Sequence, residues 1–377
     1  METMPSRLTS ALQVAKKVML VGARTCGAYS AFRYSSWRKH RLLILGYHGI
    51  SLQDEHEWRP GLFITADQFA SRLKTISRMG CAVLPLSEAI DRLRSGTLPP
   101  MSVAITFDDG FYNFLAAAYP ILKQFEYPVT VYQTTFHAAW NKPIFHLLCH
   151  YLLWKASGRT VDAGPIVGRT GYFDLRTEDG INSAGLEIWN FARTNGLSPV
   201  ERQRLAKALA DSVKVDYQEI ADRRLFNLMN KDELSQMVTN GVDVQLHTHR
   251  HRVPANKNAF LRELADNQEF LKEIGQPKAT HFTYPSGVYR EEVFSWLSEF
   301  GVRSATTCDT GLVGSQSNLM CLPRLIDTTQ ISELEFGAWL CGLREFMPRR
   351  SNGYVPMDST QVTHAENLCR DRDPTYK

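Results

Sequence analysis

The sequence predicts an α/β fold in which strand–helix units surround a mostly parallel sheet or barrel. Two observations predict it. From Arg41 onward, short apolar runs alternate with longer segments of helical periodicity, and buried strands that alternate with helices are typical of parallel sheets. The length of 377 residues and the hydrophobic content of 44% allow one large core. We therefore expect one main domain with additions.

Seven strands and seven helices are expected in the main domain. The strands are expected at 42–47, 103–107, 129–134, 242–246, 280–284, 304–307 and 322–326. The helices are expected at 66–79, 86–95, 112–125, 234–239, 259–274, 291–299 and 331–343. In folds of this kind the chemistry gathers at the carboxyl ends of the strands, so residues that directly follow a strand are the first candidates for function.

Three segments lie outside this alternation, and the main domain is expected to occupy 41–345. Residues 138–230 contain an aromatic-rich apolar helix and further amphipathic helices. We expect an inserted subdomain or lid there, and the alternative is an insertion with no role in the chemistry. Residues 346–377 are polar and are expected to be disordered. Residues 1–40 form a basic N-terminal segment.

The N-terminal segment is both basic and amphipathic. No acidic residue occurs between Thr3 and Gln53. Residues 8–31 have helical spacing, with an apolar side formed by Leu8, Leu12, Ala15, Met19 and Leu20. A basic amphipathic helix favours the surface of an anionic membrane. A solvated arm and a helix packed on the main domain are the alternatives.

Composition argues against several classes of protein. The formal net charge of +4 is too small to predict nucleic-acid binding. The seven cysteines are scattered without C-x-x-C spacing, which predicts neither a disulfide framework nor a thiolate zinc site. No apolar window reaches the roughly 18 residues of a membrane span, and the apolar stretch at 18–21 is too short for a secretory signal. We expect a cytoplasmic protein, either free or peripheral on the inner membrane face.

The first chemical motif follows the expected strand 103–107. Two adjacent carboxylates, Asp108 and Asp109, are followed by Gly110, which permits a sharp turn. By itself, an Asp-Gly pair after an apolar run is an ordinary turn signal. This motif alone therefore leaves a structural and a functional interpretation open.

The second motif follows the expected strand 242–246 and places His247, His249 and His251 within five residues. In a helical turn, His247 and His251 share a face, and this i, i+4 spacing lets two imidazoles bind one metal. In an extended segment all three histidines share a face. A solvated basic loop is the structural alternative.

The two motifs together are more specific than either one. Two imidazoles and one carboxylate form a facial ligand set for zinc or another divalent metal, with positions left for water and substrate. The other carboxylate then remains free to act as a base. The sequence contains no H-E-x-x-H, no H-x-E with P-C-x-x-C and no phosphate-binding G-x-x-x-x-G-K-[ST] motif.

At these motifs the chain resembles the polysaccharide deacetylases of carbohydrate esterase family 4, the homologues of nodulation-type chitooligosaccharide deacetylases. Their TFDDG motif is present unchanged at 106–110, and their H-[ST]-x-x-H motif is present at 247–251. Segments 47–50 (YHGI), 282–287 (FTYPSG) and 322–325 (LPRL) are similar to segments of the exopolysaccharide deacetylase subgroup. The resemblance spans 42–327 except for the insertion, and it implies a distorted (β/α) barrel of about seven strands.

The resemblance implies a role for individual residues. Asp109, His247 and His251 would hold a divalent metal, with zinc expected and cobalt, nickel or iron as alternatives. Asp108 would be the general base, and the backbone N–H of Ser286 would stabilise the oxyanion. The implied substrate is an acetylated glycan or oligosaccharide, from which acetyl groups are removed by hydrolysis.

Two departures from the family pattern leave the proton donor open. Thr283 stands where the third motif often carries an arginine that orients the catalytic aspartate, and the late L-x-H-D motif that supplies a general-acid histidine has no match. His48, at the end of the first strand, is a candidate acid, with a core histidine as the alternative. We expect His249 to face solvent, and Tyr112 either to line the sugar site or to serve packing.

Two other functions remain as alternatives. The first is a small-molecule amide hydrolase of the same fold that works without a conventional metal site, and the retained histidine motif argues against it. The second is a catalytically silent glycan-binding homologue. The sequence leaves open whether an N-acetyl or an O-acetyl group is removed.

Overall fold

The computed structural model of the protein describes residues 7–347, with side chains from Val14 onward. The tail expected to be disordered lies outside the described residues from 348 onward. In chain order the helices are α1 (Arg7–Thr25), α2 (Ala28–Arg33), α3 (Ser36–Lys39), α4 (Glu55–Trp58), α5 (Ala66–Arg78), α6 (Leu86–Ser95), α7 (Tyr119–Gln124), α8 (Phe136–Trp140), α9 (Phe145–Lys155), α10 (Gly164–Val167), α11 (Glu178–Thr194), α12 (Pro199–Val213), α13 (Tyr217–Arg223), α14 (Lys231–Thr239), α15 (Lys257–Glu273), α16 (Glu292–Phe300) and α17 (Glu333–Cys341).

The strands are β1 (Arg41–Tyr47), β2 (Gly49–Ile50), β3 (Phe63–Ile64), β4 (Ala82–Val83), β5 (Ser102–Phe107), β6 (Thr130–Gln133), β7 (Thr160–Asp162), β8 (Tyr172–Asp174), β9 (Asp243–Leu246), β10 (His281–Thr283), β11 (Ser304–Thr306), β12 (Val313–Gly314) and β13 (Leu325–Ile326). A π-helical turn, Phe114–Ala118, leads into α7, and 3-10 turns cover Pro285–Gly287 and Leu343–Phe346.

Seven parallel strands form the centre of the molecule. β1, β5, β6, β9, β10 and β11 are neighbours in this order, and every pair is parallel. β13 pairs with β1, and Leu322 forms a parallel bridge to Thr306 of β11. Segment 322–326 therefore connects the two ends of the sheet, and the seven strands curl into a distorted barrel. These are the seven strands that the sequence predicts, and the predicted fold class is confirmed.

The predicted strands are recognisable because both of their faces are buried. All six residues of β5 and six of the seven residues of β1 are buried, as is usual for parallel strands covered by helices. The sequence pattern does not predict the strands β2, β3, β4, β7, β8 and β12, each of which is two or three residues long. Two of these lie beside the barrel, with β4 parallel to β5 and β12 antiparallel to β1.

The predicted helices are present with shifts of a few residues at their ends. The segment expected as one helix at 112–125 is divided into the π-helical turn and α7. Pro120 lies at the start of α7, and because proline has no N–H to donate, a regular α-helical ladder cannot pass through it. The boundary at α14 follows from a capping box, in which Asn230 and Glu233 satisfy each other's backbone N–H groups.

Helix α9, in the insertion between β6 and β9, packs against the loop that follows β1. Trp58 of α4 donates through Nε1 to His150 Nδ1 at 3.0 Å, and its ring packs against Tyr151 and Phe226. Asp54 in the same loop pairs with Lys155 of α9 at 2.6 Å. The inserted helices thus support a loop that begins beside His48. A role for them in the chemistry stays a prediction.

The N-terminal helices are attached to the barrel through a buried arginine. The guanidinium of Arg38 donates to the carbonyls of Leu340 at 2.7 Å, Arg41 at 2.6 Å and Ser102 at 3.3 Å. α1 packs on α17 through Leu20. Among the described helices, none is long and apolar enough to cross a membrane. The six cysteines within the described part of the chain are free thiols.

Candidate active site and metal centre

The two carboxylates of the first motif lie where β5 ends. The N–H of Asp108 donates to the carbonyl of Tyr47 at 2.8 Å, which extends the pairing of β5 with β1. Asp109 then enters the left-handed region with φ of 66°, a conformation that aspartate tolerates better than most residues. At Gly110, φ is 79° and an added Cβ would lie 1.8 Å from Gln133 Oε1. Only glycine fits this turn.

The histidine segment takes neither of the two conformations considered from the sequence. Thr248 and His251 have φ of 60° and 52°, so the segment is an irregular turn rather than a helix or a strand. His247 and His251 nevertheless converge, with ring centroids 4.8 Å apart. The Nε2 atom of each ring lies 3.2 Å from Asp109 Oδ1.

Asp109, His247 and His251 fit a divalent metal. Their ligand atoms all lie within 4.8 Å of one another. The separations of 3.2 Å between Nε2 and Oδ1 match the edge of a tetrahedron around zinc, which is about 3.3 Å for ligands near 2.0 Å from the ion. His247 Nδ1 lies 2.8 Å from the carbonyl oxygen of Thr283. Because a carbonyl only accepts, Nδ1 carries the proton and Nε2 keeps a lone pair for the metal.

Helix α15 holds the histidine turn through two buried polar side chains one helical turn apart. Glu263 accepts from the N–H of Arg250 at 2.8 Å and from Arg252 Nε at 2.7 Å. Asn267 accepts from the N–H of His247 at 2.9 Å. These contacts stabilise a turn with two left-handed residues, which isolated residues of these types would rarely adopt. Neither side chain was singled out in the sequence, since both lie inside a regular amphipathic helix.

Asp108 is bound by Arg324, a residue that neither of the two chemical motifs contains. Arg324 Nη1 and Nη2 each donate to one oxygen of Asp108 at 2.7 Å. The same guanidinium donates to Thr106 Oγ1 at 3.1 Å and through Nε to the carbonyl of Thr307 at 3.0 Å. The pair is buried and bidentate, the geometry that fixes a carboxylate most firmly.

Thr283 explains the departure from the family's third motif. Its Oγ1 accepts from Arg324 Nη2 at 2.9 Å, and its carbonyl oxygen accepts from His247. The arginine absent from the β10 position is thus supplied from the LPRL segment, which lies next to β11, the neighbour of β10. Thr283 links the residue that orients the base to a metal ligand.

The charges around the two aspartates determine their ionisation. Burial raises the pKa of Asp108, but the charge and hydrogen bonds of Arg324 outweigh it and hold the pKa below its usual range. Burial also raises the pKa of Asp109, and the two histidines outweigh it and hold the pKa well below the ordinary value. Both side chains are therefore carboxylates at neutral pH, one available as a base and one as a ligand.

His48 lies beside the base, at the end of β1. Its Nε2 is 3.7 Å from Asp108 Oδ2, longer than a hydrogen bond. Burial lowers the pKa of His48, and the nearby carboxylates of Asp108 and Asp109 oppose this shift. The structure thus brings the candidate acid to the same edge as the metal triad.

Ser286, Tyr112 and His249 occupy different surroundings. Ser286 is exposed in the turn after β10, with φ of 57°. The ring of Tyr112 is covered by the guanidinium of Arg224 at 3.9 Å, so the tyrosine packs against the end of the insertion. His249 is half-buried, and its Nδ1 lies 2.8 Å from Thr135 Oγ1. The expectation that His249 faces solvent is therefore wrong, although it is no member of the metal triad.

The polysaccharide deacetylase family profile matches residues 95–185 and 209–305, which include both motifs. The chain belongs to the polysaccharide deacetylase family. The unmatched stretch between the two regions, 186–208, lies within the insertion. The resemblance stated from the motifs is thereby confirmed.

Solved structures of other proteins share the fold. The deacetylase PplD of Streptococcus pyogenes, determined in complex with acetate, is 18% identical with a TM-score of 0.52, and the alignment covers 82% of this chain and 99% of PplD. IcaB from Ammonifex degensii is 18% identical with a TM-score of 0.50, covering 80% of this chain and 97% of IcaB. At these identities the likeness shows the barrel fold alone.

A weaker similarity is found to YxkH of Bacillus subtilis (strain 168), whose name provisionally assigns it to the polysaccharide deacetylases. It is 21% identical over 117 residues, and the alignment covers 30% of this chain and 41% of YxkH. The chain thus matches less than half of the length of this relative.

Proposed function

We propose that the protein is a metal-dependent hydrolase that removes N-acetyl or O-acetyl groups from a glycan or glycan precursor. One observation supports this most strongly. Three ligand atoms of Asp109, His247 and His251 converge within 4.8 Å, directly beside a carboxylate that is held charged by Arg324. A metal site and a separate base at one strand edge are the minimum that metal-assisted hydrolysis requires.

The three ligand atoms limit which metals the site could hold. Two imidazole nitrogens and one carboxylate oxygen suit zinc, and they also suit cobalt, nickel or iron. A divalent metal at this site would supply Lewis acidity, lowering the pKa of a water molecule and polarising an acetyl carbonyl. Asp109, His247 and His251 would hold it, with His247 oriented by the carbonyl of Thr283.

The protein's own residues then divide the proton transfers. Asp108 takes a proton from the attacking water, and Arg324 keeps it ionised and fixed in position until that step. His48 is not one of the three ligands and faces the base at 3.7 Å, so we assign it the donation of a proton to the leaving group. An amide nitrogen needs this proton more than an ester oxygen does, because an amine anion is the poorer leaving group.

We assign to the turn after β10 the stabilisation of the oxyanion that forms on the acetyl carbonyl oxygen. Gly287 donates to the carbonyl of Tyr284 at 2.9 Å, and Ser286 is left-handed between them. A Cβ on Gly287 would lie 2.9 Å from Cys308 Sγ, so the turn is held closely against the strand end after β11. A rigid turn at the carboxyl end of a barrel strand is suited to direct the backbone N–H of Ser286 at a developing negative charge.

Metal content and acetate release test the proposal together. The purified protein is incubated with zinc, cobalt, nickel or iron, freed of excess ion, and analysed for bound metal. Acetate release is then measured with acetylated glucosamine oligomers and with an artificial acetyl ester. We expect about one metal per chain and activity that is abolished in Asp108→Asn. Asp211→Asn, an exposed carboxylate on α12, is the matched control and should keep full activity.

Three outcomes would overturn the proposal or part of it. A protein that binds no metal in excess zinc contradicts the metal centre and favours a small-molecule amide hydrolase of the same fold. A protein that binds metal but releases no acetate from any glycan contradicts the hydrolase and favours a silent glycan-binding homologue. Equal loss of activity in Asp108→Asn and Asp211→Asn contradicts the role of Asp108.

A further inference from the structure

Helix α1 has an apolar face that points away from the rest of the described chain. Val14, Val18 and Val21 are 62%, 66% and 42% exposed. Their spacing of i, i+4 and i+7 places them within about 60° of one another around the helix axis. Valine exposed in such a row is unusual on a soluble surface, where polar residues normally occupy the outer face of a helix.

The opposite face of α1 is attached to the deacetylase domain. Leu20 is 1% exposed and packs in a cluster with Ala338, Cys341 and Leu343. Lys16 on the same side forms an ion pair with Glu335. The mean direction of Lys16 and Leu20 lies roughly 150° around the axis from that of the valines. The valine row therefore cannot be the contact of α1 with its own domain, and the helix is held in one orientation.

Positive charge accompanies this face. Lys17 and Arg24 are exposed on one flank of the valines. No acidic residue occurs between Thr3 and Gln53, so nothing in α1, α2 or α3 offsets these charges locally. Arg38, although part of the same basic stretch, is buried and takes no part.

We propose that the outward face of α1, formed by Val14, Val18 and Val21 and flanked by Lys17 and Arg24, binds the surface of an anionic lipid bilayer. An amphipathic helix of this kind lies in the interface with its apolar row among the acyl chains and its cations at the headgroups. α1 itself is not long and apolar enough to cross a bilayer.

The size of the face favours a bilayer over a protein partner. Three valine side chains offer much less area than the about 800 Å² that each partner buries in a stable protein interface. Binding to a lipid surface needs no such area, because the free energies from a few buried apolar side chains and from a few cations near anionic headgroups add up. Each cation near an anionic surface strengthens binding about fivefold, and this contribution falls as salt is added.

Vesicle co-sedimentation of the full chain tests the proposal. Wild type is compared on vesicles of phosphatidylcholine alone and of phosphatidylcholine with phosphatidylglycerol, at low and high salt. We expect binding to the anionic vesicles that weakens at high salt. The variant Val14→Gln/Val18→Gln/Val21→Gln should bind at least roughly tenfold more weakly. Lys17→Gln/Arg24→Gln should lose binding to anionic vesicles and change little on neutral ones.

A matched control separates the effect of position from that of losing valine. Val200, in the first turn of α12, is 58% exposed, and Val200→Gln should bind like wild type. Hydrolysis of a soluble acetyl ester and the thermal midpoint should be unchanged in every variant, which shows that the barrel is intact and that this test is independent of the enzymatic one.

Two results would overturn the proposal. In the first, wild type fails to bind anionic vesicles, or the triple valine variant binds them as well as wild type does. In the second, wild type is a dimer in solution and the triple variant a monomer, with no difference on vesicles. The valine row would then be a contact between two copies of the chain.

Discussion

Replacing Arg324 tests the assignment of Asp108 as the base most directly, because the two side chains form a buried bidentate pair. Asp108 is 2% exposed and Arg324 is fully buried. Removing one partner of such a pair leaves an uncompensated charge and costs about 3–5 kcal/mol. Arg324→Met should lower the free energy of unfolding by that amount. Arg324→Lys keeps the charge but loses the planar fork and two of five donors, so we expect a loss of about 1–3 kcal/mol.

The same variants should change the dependence of activity on pH. In wild type the pKa of Asp108 lies below its ordinary value of 3.8, because Arg324 outweighs the effect of burial. Ionised Asp108 therefore stabilises the folded protein at neutral pH. This contribution to the free energy of unfolding is lost only as the pH falls through the lowered pKa of Asp108. Without the guanidinium, burial raises the pKa of Asp108. The acid limb of the pH profile of kcat/KM should therefore move to higher pH. On that limb, kcat/KM should fall about tenfold for each pH unit.

Kinetics of acetyl-ester hydrolysis across pH, with chemical denaturation of each variant, measure both effects. Arg72→Lys is the matched control, because Arg72 is also buried and pairs with Asp327 through two hydrogen bonds of 2.9 Å and 3.3 Å. It should lose stability without moving the acid limb. The reasoning is refuted if both lysine variants move the acid limb equally, or if Arg324→Met keeps the wild-type profile.

Three further predictions concern the metal centre and its turn. Glu263→Gln should weaken zinc binding about 10–100-fold in competition with a chromophoric chelator, whereas Glu269→Gln, exposed on the same helix, should not change it. Gly110→Ala should cost about 2–5 kcal/mol of unfolding free energy, since strain at positive φ adds to a clash with Gln133. Gly96→Ala, at a position with similar φ and open space around it, should cost only about 1–2 kcal/mol. Equal losses in the two variants would contradict the clash. Zinc at 100 times its dissociation constant should stabilise the chelator-treated protein by about 2.7 kcal/mol, and an unchanged thermal midpoint would contradict a site formed in the folded state.

The barrel could be predicted because its strands and helices carry strong and regular patterns. A parallel strand buried on both faces is a continuous apolar run, and its covering helix repeats apolar residues every three to four positions. The seven strands occur in the predicted places, and Asp108, Asp109 and His247 directly follow two of them. The meeting of these side chains at one edge follows from parallel strands, whose carboxyl ends lie side by side.

What could not be predicted depends on contacts between residues distant in the chain. The turn at 247–251 is neither a helix nor a strand, because α15 fixes it through Glu263 and Asn267, 13 and 20 positions away. The arginine bound to Asp108 is separated from it by 216 positions. A motif compared position by position registers such a residue as missing, because the guanidinium that binds Asp108 comes from segment 322–326 and not from β10.

The relocation of this arginine can itself be tested by moving it back. Thr283→Arg alone should be strongly destabilising, because Thr283 is fully buried and its Oγ1 already lies 2.9 Å from Arg324 Nη2. Thr283→Arg with Arg324→Ala removes that conflict and offers Asp108 a guanidinium from β10. If the position of the charge is what matters, the double variant should exceed Arg324→Ala in kcat/KM and return the acid limb toward wild type, with a coupling of about 1–3 kcal/mol between the two sites. A double variant as inactive as Arg324→Ala, although folded and loaded with metal, would mean that Arg324 acts by holding segment 322–326 in the barrel and not by orienting the base.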